Sequence, residues 1–242
     1  LINRVKQDVQ KIKNSLDISG YYFSKVDSQI KQNSNDTIDL IFNIELGEKA
    51  KISKIEFIGD KKIKNRTLRN VIISEESKFW KFISKNKYLN ENIIESDKRL
   101  LRTFYLNKGF YDVLIESSSV DYFDDNTFKL TYKITAGEKY LVNKAELELP
   151  IDYDESNFEN VNKAISKLIN ENYSFNKISR VVDQIDKVSL SREYDFINAE
   201  IIEKKVDNNK IDIIFKVQES EKSYVERINI FGNNITHENV IR

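Results

Sequence analysis

The chain has 242 residues, of which 40% are hydrophobic and 32% are charged. Its 39 basic and 39 acidic side chains give a formal net charge of zero, which argues against non-specific nucleic-acid binding because that function requires a basic surface. The sequence has no cysteine, so disulfides and thiolate chemistry are excluded. It also contains no run of about 18 apolar residues, the length that a membrane-spanning helix requires.

The first 48 residues predict a helix followed by two strands. Apolar residues recur at intervals of three or four, as in an amphipathic helix: Leu1, Val5, Val9, Ile12 and Leu16. Gly20 provides a helix stop, residues 21–30 and 37–46 are expected strands, and the polar residues between them predict a hairpin turn. The chain lacks an initiator methionine and opens inside this helix, so we expect it to be a piece of a longer protein.

Residues 49–138 predict a complete unit in the order strand, helix, helix, strand, strand. Its expected elements lie at residues 51–58, 65–73, 90–107, 110–120 and 128–135. Between the two helices, Phe79, Trp80 and Phe82 stand among lysines. This aromatic segment has two interpretations: a small satellite core that holds the segment on the helices, or an interface patch that faces a partner or a membrane surface.

Residues 139–221 repeat the same order of elements, and residues 222–242 begin another unit. The expected elements of the third unit lie at residues 140–149, 155–170, 176–190, 196–205 and 210–218. A further strand is expected over residues 224–231. The single histidine, His237, lies in a polar stretch of this last segment, where we expect it to be solvated rather than functional.

Three segments of the chain repeat one pattern in a single register: residues 38–59, 128–149 and 211–232. Each contains a strand, a turn and a second strand, and the turns centre on Gly47, Gly137 and Ser220, which are 90 and 83 residues apart. Such a period predicts tandem α+β units rather than one large domain. Glycine at the turn supplies the positive φ that a sharp turn needs.

Several motifs resemble POTRA domains, the polypeptide-transport-associated modules of the outer membrane protein assembly family. The motifs are YLNKGFYDVLI at residues 105–115, TAGEKY at 135–140 and FGNN at 231–234. The resemblance covers nearly the whole chain and implies tandem units, each with a three-stranded mixed sheet covered on one face by two helices. Two sites depart from the family pattern: residues 192–196 lack its glycine-aromatic step, and Leu149-Pro150 replaces a glycine turn.

The aromatic segment indicates which numbered POTRA domains of the family the units of this chain resemble. In one branch of the family, the third POTRA domain carries an enlarged helix-to-helix segment with aromatic residues, and the aromatic segment of this chain occupies the matching place. On that alignment the successive domains are the back half of POTRA 2, all of POTRA 3, all of POTRA 4 and the start of POTRA 5, at residues 1–48, 49–138, 139–221 and 222–242.

The strand that follows the second helix of the second unit is the candidate binding site. Two helices can cover only one face of a three-stranded sheet, and the clean alternation of residues 128–134 favours that strand as the centre. Residues 110–120 are thereby left at an edge, which is either merely solvated or able to accept an added strand through its unpaired N–H and C=O groups. The residues that we expect to bind a partner chain are Phe110, Tyr111, Val113, Ile115 and Ser117.

The resemblance implies a non-catalytic scaffold at the periplasmic face of the outer membrane. Its expected partners are unfolded outer-membrane β-barrel proteins, accessory lipoproteins of the assembly machinery and the C-terminal membrane barrel of the same full-length chain. No cofactor, metal or nucleic acid is expected, since the sequence has no phosphate-binding glycine loop and no cluster at metal-ligand spacing. An arm from a related translocation-and-assembly factor or from a two-partner secretion transporter is the alternative.

Overall fold

A computed structural model describes residues 2–33, 37–77, 86–123, 126–191 and 197–219 of the chain. The expected α+β architecture is confirmed, since helices and strands form successive units and two of these contain a three-stranded mixed sheet. The aromatic segment of Phe79, Trp80 and Phe82 lies outside the described residues, as do residues 192–196 and the strand expected at 224–231.

The first unit contains helix α1 (Ile2–Ile18) and an antiparallel hairpin of strands β1 (Lys25–Gln32) and β2 (Ile38–Glu45). Within the described residues, β2 pairs with β1 alone. Most apolar side chains of β2 are consequently exposed, among them Ile38 and Ile44.

The second unit contains β3 (Lys51–Ile58), α2 (Asn65–Arg69), α3 (Glu91–Leu106), β4 (Leu114–Phe123) and β5 (Thr127–Thr135). The strand order is β3-β5-β4, with β3 parallel and β4 antiparallel to β5. The prediction that the strand with the clean alternation lies at the centre is confirmed. At alternate positions of β5 the apolar side chains join the core beneath the helices, while the intervening side chains are polar, so the helices cover one face of the sheet.

The third unit repeats this topology. Its elements are β6 (Leu141–Glu148), a 3-10 turn (Glu155–Phe158), α4 (Glu159–Ser166), α5 (Phe175–Ser191), β7 (Ile197–Val206) and β8 (Lys210–Glu219). The strand order is β6-β8-β7, with the same directions as in the second unit. The second and third units have separate hydrophobic cores, as expected for tandem repeats.

The first helix of each complete unit is shorter than predicted. Helix α2 ends at Arg69 rather than near residue 73, because the β-branched run that follows has low helix propensity and its N–H groups find other partners. The helix expected over residues 155–170 is divided into the 3-10 turn and α4. Its last residues leave the helix because Asn170 adopts a φ of 63° and its N–H donates to the Val142 carbonyl.

Strands β1 and β4 begin four residues later than predicted. Each follows a glycine that ends a helix with a positive φ, 92° at Gly20 and 96° at Gly109. The next residues form a turn rather than a strand, and the Phe110 N–H donates back to the Tyr105 carbonyl. Phe110 and Val113 therefore precede β4 and lie in the core, with exposures of 6% and 1%.

A carboxylate that the sequence analysis did not single out holds the second unit together. Asp97 of α3 is fully buried. It accepts hydrogen bonds from the Ile73 N–H at 2.6 Å and from the Tyr132 hydroxyl of β5 at 2.7 Å. Burial and the neighbouring Asp97 carboxylate raise the pKa of Tyr132. The carboxylate thus connects a helix, the central strand and the loop that follows α2.

We expect Asp97→Ala to lower the free energy of unfolding by about 3 kcal/mol, because it leaves the Ile73 N–H and the Tyr132 hydroxyl without a partner in the core. Tyr132→Phe removes one of these bonds and should cost about 1 kcal/mol. Glu95→Ala, at an exposed position of the same helix, is the control and should change the stability by less than about 0.5 kcal/mol. Urea unfolding followed by circular dichroism measures all three, and equal losses for Asp97→Ala and Glu95→Ala would contradict the assigned role.

Candidate protein-binding site

The outer edge of β3 is closed by the chain itself. The Ile52 N–H donates to the Lys87 carbonyl at 2.8 Å, and the Ile52 carbonyl accepts from the Ser77 N–H at 2.7 Å. Further along the strand, the Ile55 N–H donates to the Glu76 carboxylate at 3.1 Å, and the Ile55 carbonyl accepts from an arginine of α2 at 2.7 Å. These bonds leave little of β3 available to an added strand.

The opposite edge of the same sheet, β4, is open. Within the described residues, β4 pairs with β5 on one side and no strand or loop backbone bonds to its other side. A register shift after Ser118 interrupts the regular ladder with β5, so the regular stretch runs from Leu114 to Ser118. Leu114 is 55% exposed. We call this stretch the β4 edge.

The five residues predicted to bind a partner chain occupy different environments. Phe110 and Val113 belong to the core, and Tyr111 packs against the third unit. Ile115 is half-buried on the inner face of β4, and Ser117 is exposed. Only the last two lie in the β4 edge, and binding at any of the five stays a prediction.

The equivalent edge of the third unit, β7, was missed by the sequence analysis. Its ladder with β8 is continuous from Ile197 to Val206, and its other side is unpaired in the described part of the chain. Ile201 and Ile202 on this strand are 37% and 38% exposed. The repeat itself was the available signal, because β7 occupies the same position in its unit as β4 does.

Consecutive units meet in the same way at both places where the structure describes a contact between them. The carbonyl of the glycine that ends a unit's last helix accepts a hydrogen bond from the N–H of the residue just before the next unit's first strand. The carbonyl of that residue in turn accepts a hydrogen bond from an N–H of its own unit. At the first joint, the Ala50 N–H donates to the Gly20 carbonyl (2.9 Å) and the Leu89 N–H donates to the Ala50 carbonyl (2.8 Å). At the second joint, the Tyr140 N–H donates to the Gly109 carbonyl (2.8 Å) and the Tyr173 N–H donates to the Tyr140 carbonyl (2.9 Å). We call this arrangement the repeat joint.

A tyrosine two positions after each of these glycines packs into the next unit. Tyr22 lies against the core of the second unit, with its ring centroid 5.7 Å from that of Phe128. Tyr111 lies against the core of the third unit, with its ring centroid 4.9 Å from that of Tyr173. In both tyrosines burial is the larger cause that raises the pKa of the hydroxyl to about 12.

Glu203 of β7 fixes the second joint from the side of the third unit. Its carboxylate accepts hydrogen bonds from the Tyr111 hydroxyl at 2.8 Å and from the Tyr173 hydroxyl at 2.7 Å. The two tyrosines belong to different units, so one charged acceptor ties both units together. Sequence analysis could not find this contact, because Tyr111 and Glu203 are 92 residues apart.

Lys205, two residues further along β7, holds the other side of the joint. It forms an ion pair with Asp112, which also accepts a hydrogen bond from the Tyr140 hydroxyl at 2.8 Å. Its ammonium lies 5.5 Å from the centroid of the Tyr111 ring, within the range of cation–π contacts. Burial raises the pKa of the Asp112 carboxyl, but hydrogen bonds from Lys205 and Tyr140 outweigh burial and hold that pKa below its usual range.

The described residues present strand edges as their candidate binding features. They contain no group of three or more His, Cys, Asp or Glu side chains that could hold a metal ion. None of their helices has the length and hydrophobicity that a bilayer crossing requires. What they do present is backbone edges whose relative positions are set by the joint.

The chain is similar to one family of proteins. The family model described as POTRA, surface antigen variable number repeat, matches residues 2–47 and 50–137, which is more than half of the chain. The outer membrane protein assembly factor BamA of Nitratidesulfovibrio vulgaris is 24% identical over 97% of this chain and 30% of its own length. BamA of Neisseria meningitidis serogroup B is also 24% identical, over 90% of this chain and 27% of its own length. The chain thus spans less than a third of the length of these relatives.

A solved structure has a similar fold. The crystal structure of POTRA domains 3–5 of BamA from Haemophilus influenzae matches 88% of this chain and 80% of that chain, with a TM-score of 0.53 and 17% identity. At this identity the likeness concerns the fold alone.

We expect Glu203→Gln to lower the pKa of Tyr111 from about 12 while leaving it above the ordinary tyrosine value, because burial persists when the charge is removed. Since the folded-state pKa is raised, this tyrosine stabilises the joint fully below about pH 10, the unfolded value, and loses that effect as the pH rises through about 12. Titration of the tyrosine ring signals by NMR measures the pKa of Tyr111 in the unaltered chain and in the variant. Glu200→Gln on the same strand is the control, and an unchanged Tyr111 titration in Glu203→Gln would show that the bond does not form.

Proposed function

Because this chain belongs to the POTRA family, we propose that it is part of the periplasmic arm of an outer membrane protein assembly factor. Support comes from its similarity to the POTRA region of BamA over nearly its whole length. In this proposal the arm is a non-catalytic scaffold. It receives unfolded outer-membrane β-barrel proteins, docks accessory lipoproteins and delivers the clients to the C-terminal membrane barrel of the full-length chain.

The β4 edge is the observation that carries the proposal. An extended client segment that pairs with residues Leu114 to Ser118 would form main-chain hydrogen bonds and become a fourth strand of the sheet. Main-chain bonds require no particular client sequence, which suits a receptor for many different unfolded chains. The closed edge of β3 leaves β4 as the available side of this sheet.

The repeat joint supports the scaffold part of the proposal. The two open edges, β4 and β7, belong to consecutive units, and the joint contacts hold β7 against the preceding unit through Glu203 and Lys205. Two binding edges at a fixed spacing raise the effective concentration of a second client segment once the first has bound. The same spacing would allow a client and a lipoprotein to occupy neighbouring units.

An arm of a related translocation-and-assembly factor, or of a two-partner secretion transporter, is the alternative function. Both would use the same edges with different clients. Binding of segments from many unrelated outer-membrane barrels favours the assembly factor, whereas binding restricted to one secreted client favours the transporter.

The absence of cysteine allows strand addition to be tested by site-specific crosslinking. We expect Glu116→Cys in the β4 edge to form a disulfide with single-cysteine peptides that copy strands of outer-membrane barrels. Peptides of unrelated sequence should react at similar rates, because the pairing uses the main chain. The rate of crosslinked product formation on a non-reducing gel is the measurement.

Lys54→Cys is the matched control, because it lies on the same polar face of the sheet but on the closed edge. It should react severalfold more slowly than Glu116→Cys. Peptides with proline at alternate positions should lose the reaction at Glu116→Cys, since proline cannot donate to a ladder. Equal rates at the two positions, or undiminished reaction of the proline peptides, would refute strand addition at β4.

A further inference from the structure

The helical side of the third unit carries a groove that the binding edges do not use. Helices α4 and α5 and the turn after α4 line an open groove with a volume of about 800 Å³. Its floor is apolar and consists of buried or half-buried side chains: Val161, Ala164, Leu168, Val181 and Val188. The groove is therefore an open depression whose floor is hydrophobic.

Exposed basic side chains stand along both rims of this groove: Lys163, Lys167, Lys177, Arg180 and Lys187. No acidic residue is among the residues that line it. This concentration of one charge contrasts with a chain whose formal net charge is zero. A groove with an apolar floor and basic rims is complementary in shape and charge to a partner that has an apolar ridge flanked by acidic side chains.

Three of the five basic residues have no ion-pair partner among the residues that the structure describes. Lys163 pairs with Glu159 at 2.7 Å and Lys177 with Glu171 at 3.2 Å. The described residues provide no carboxylate to the others, which are Lys167, Arg180 and Lys187. These three side chains are available to an acidic partner.

The spacing of the basic residues suits a helix lying in the groove. Lys163 is in α4 and Lys167 is the residue that follows this helix, four positions on, while Arg180 and Lys187 are two turns apart along α5, roughly 10 Å. Carboxylates at the corresponding spacing on a third helix would face both rims at once. The apolar side chains between them would then fill the floor at positions i, i+3, i+4 and i+7.

We propose that the α4–α5 groove binds an acidic amphipathic helix of a partner protein. The helix lays its apolar stripe on the floor and directs its flanking Glu and Asp side chains to Lys167, Arg180 and Lys187. A membrane surface fits less well, because it is flat and cannot reach an apolar floor that lies below the level of the lysine and arginine head groups. The proposal concerns a face of the third unit that is separate from the strand edges, so its test is independent of strand addition.

The test uses a fluorescein-labelled peptide of roughly 18 residues, five helical turns, with leucine on one face and glutamate flanking it. Fluorescence anisotropy should show binding to the chain, and the affinity should fall as salt is raised. The double variant Lys167→Glu, Arg180→Glu should bind about tenfold more weakly, because two attractions become repulsions. A peptide with lysine in place of glutamate should bind this double variant better than it binds the unaltered chain.

The control variant Lys6→Glu, Lys13→Glu makes the same change in net charge at exposed positions of α1. It should bind the acidic peptide as the unaltered chain does, and circular dichroism should show that both variants are folded. Absence of binding to the unaltered chain, or equal weakening in both variants, would overturn the proposal. Sedimentation with phosphatidylethanolamine–phosphatidylglycerol vesicles, if lost in the groove variant while peptide binding is absent, would assign the groove to a membrane surface instead.

Discussion

The arrangement of the units depends on two glycine carbonyls that are shared between neighbouring repeats. Gly20 and Gly109 end a helix, and each accepts the N–H that precedes the first strand of the next unit. A Cβ at Gly20 would lie 2.6 Å from the Leu89 carbonyl oxygen. The two backbones are therefore too close together for any residue with a side chain at this position. Because the joint is made of main chain, it recurs although Ala50 occupies it in one place and Tyr140 in the other.

Side-chain contacts distinguish one joint from the other. At the second joint a carboxylate and an ammonium from β7 reach across to a tyrosine and an aspartate of the preceding unit. The strand that offers an open edge is therefore also the strand that anchors its unit to the arm. In the proposed function, binding and positioning are thus combined in one element, while the helical groove lies on another face.

The features that repeat with the period of the chain could be predicted from the sequence, and those that depend on contacts between repeats could not. Alternation over residues 128–134 identified the central strand, and Gly47 and Gly137 have the positive φ, 66° and 70°, that their turns required. Phe110 and Val113 were expected in a strand, yet they lie at a turn before β4 and enter the core. The sequence pattern does not distinguish the charged residues of the core, the joint and the groove from other charged residues, and only the fold shows what faces them. Examples are Asp97, Glu203 and the groove lysines.

The parallel pairing of β3 with β5 has a mechanical consequence. The chain enters the second unit at the start of β3 and leaves it at the end of β5, and these two strands are neighbours that run in the same direction. Tension along the arm would therefore pull them past each other lengthwise, loading all of their hydrogen bonds together in shear instead of opening them one at a time. The third unit has the same connection through β6 and β8, so the chain should resist stretching at each complete repeat.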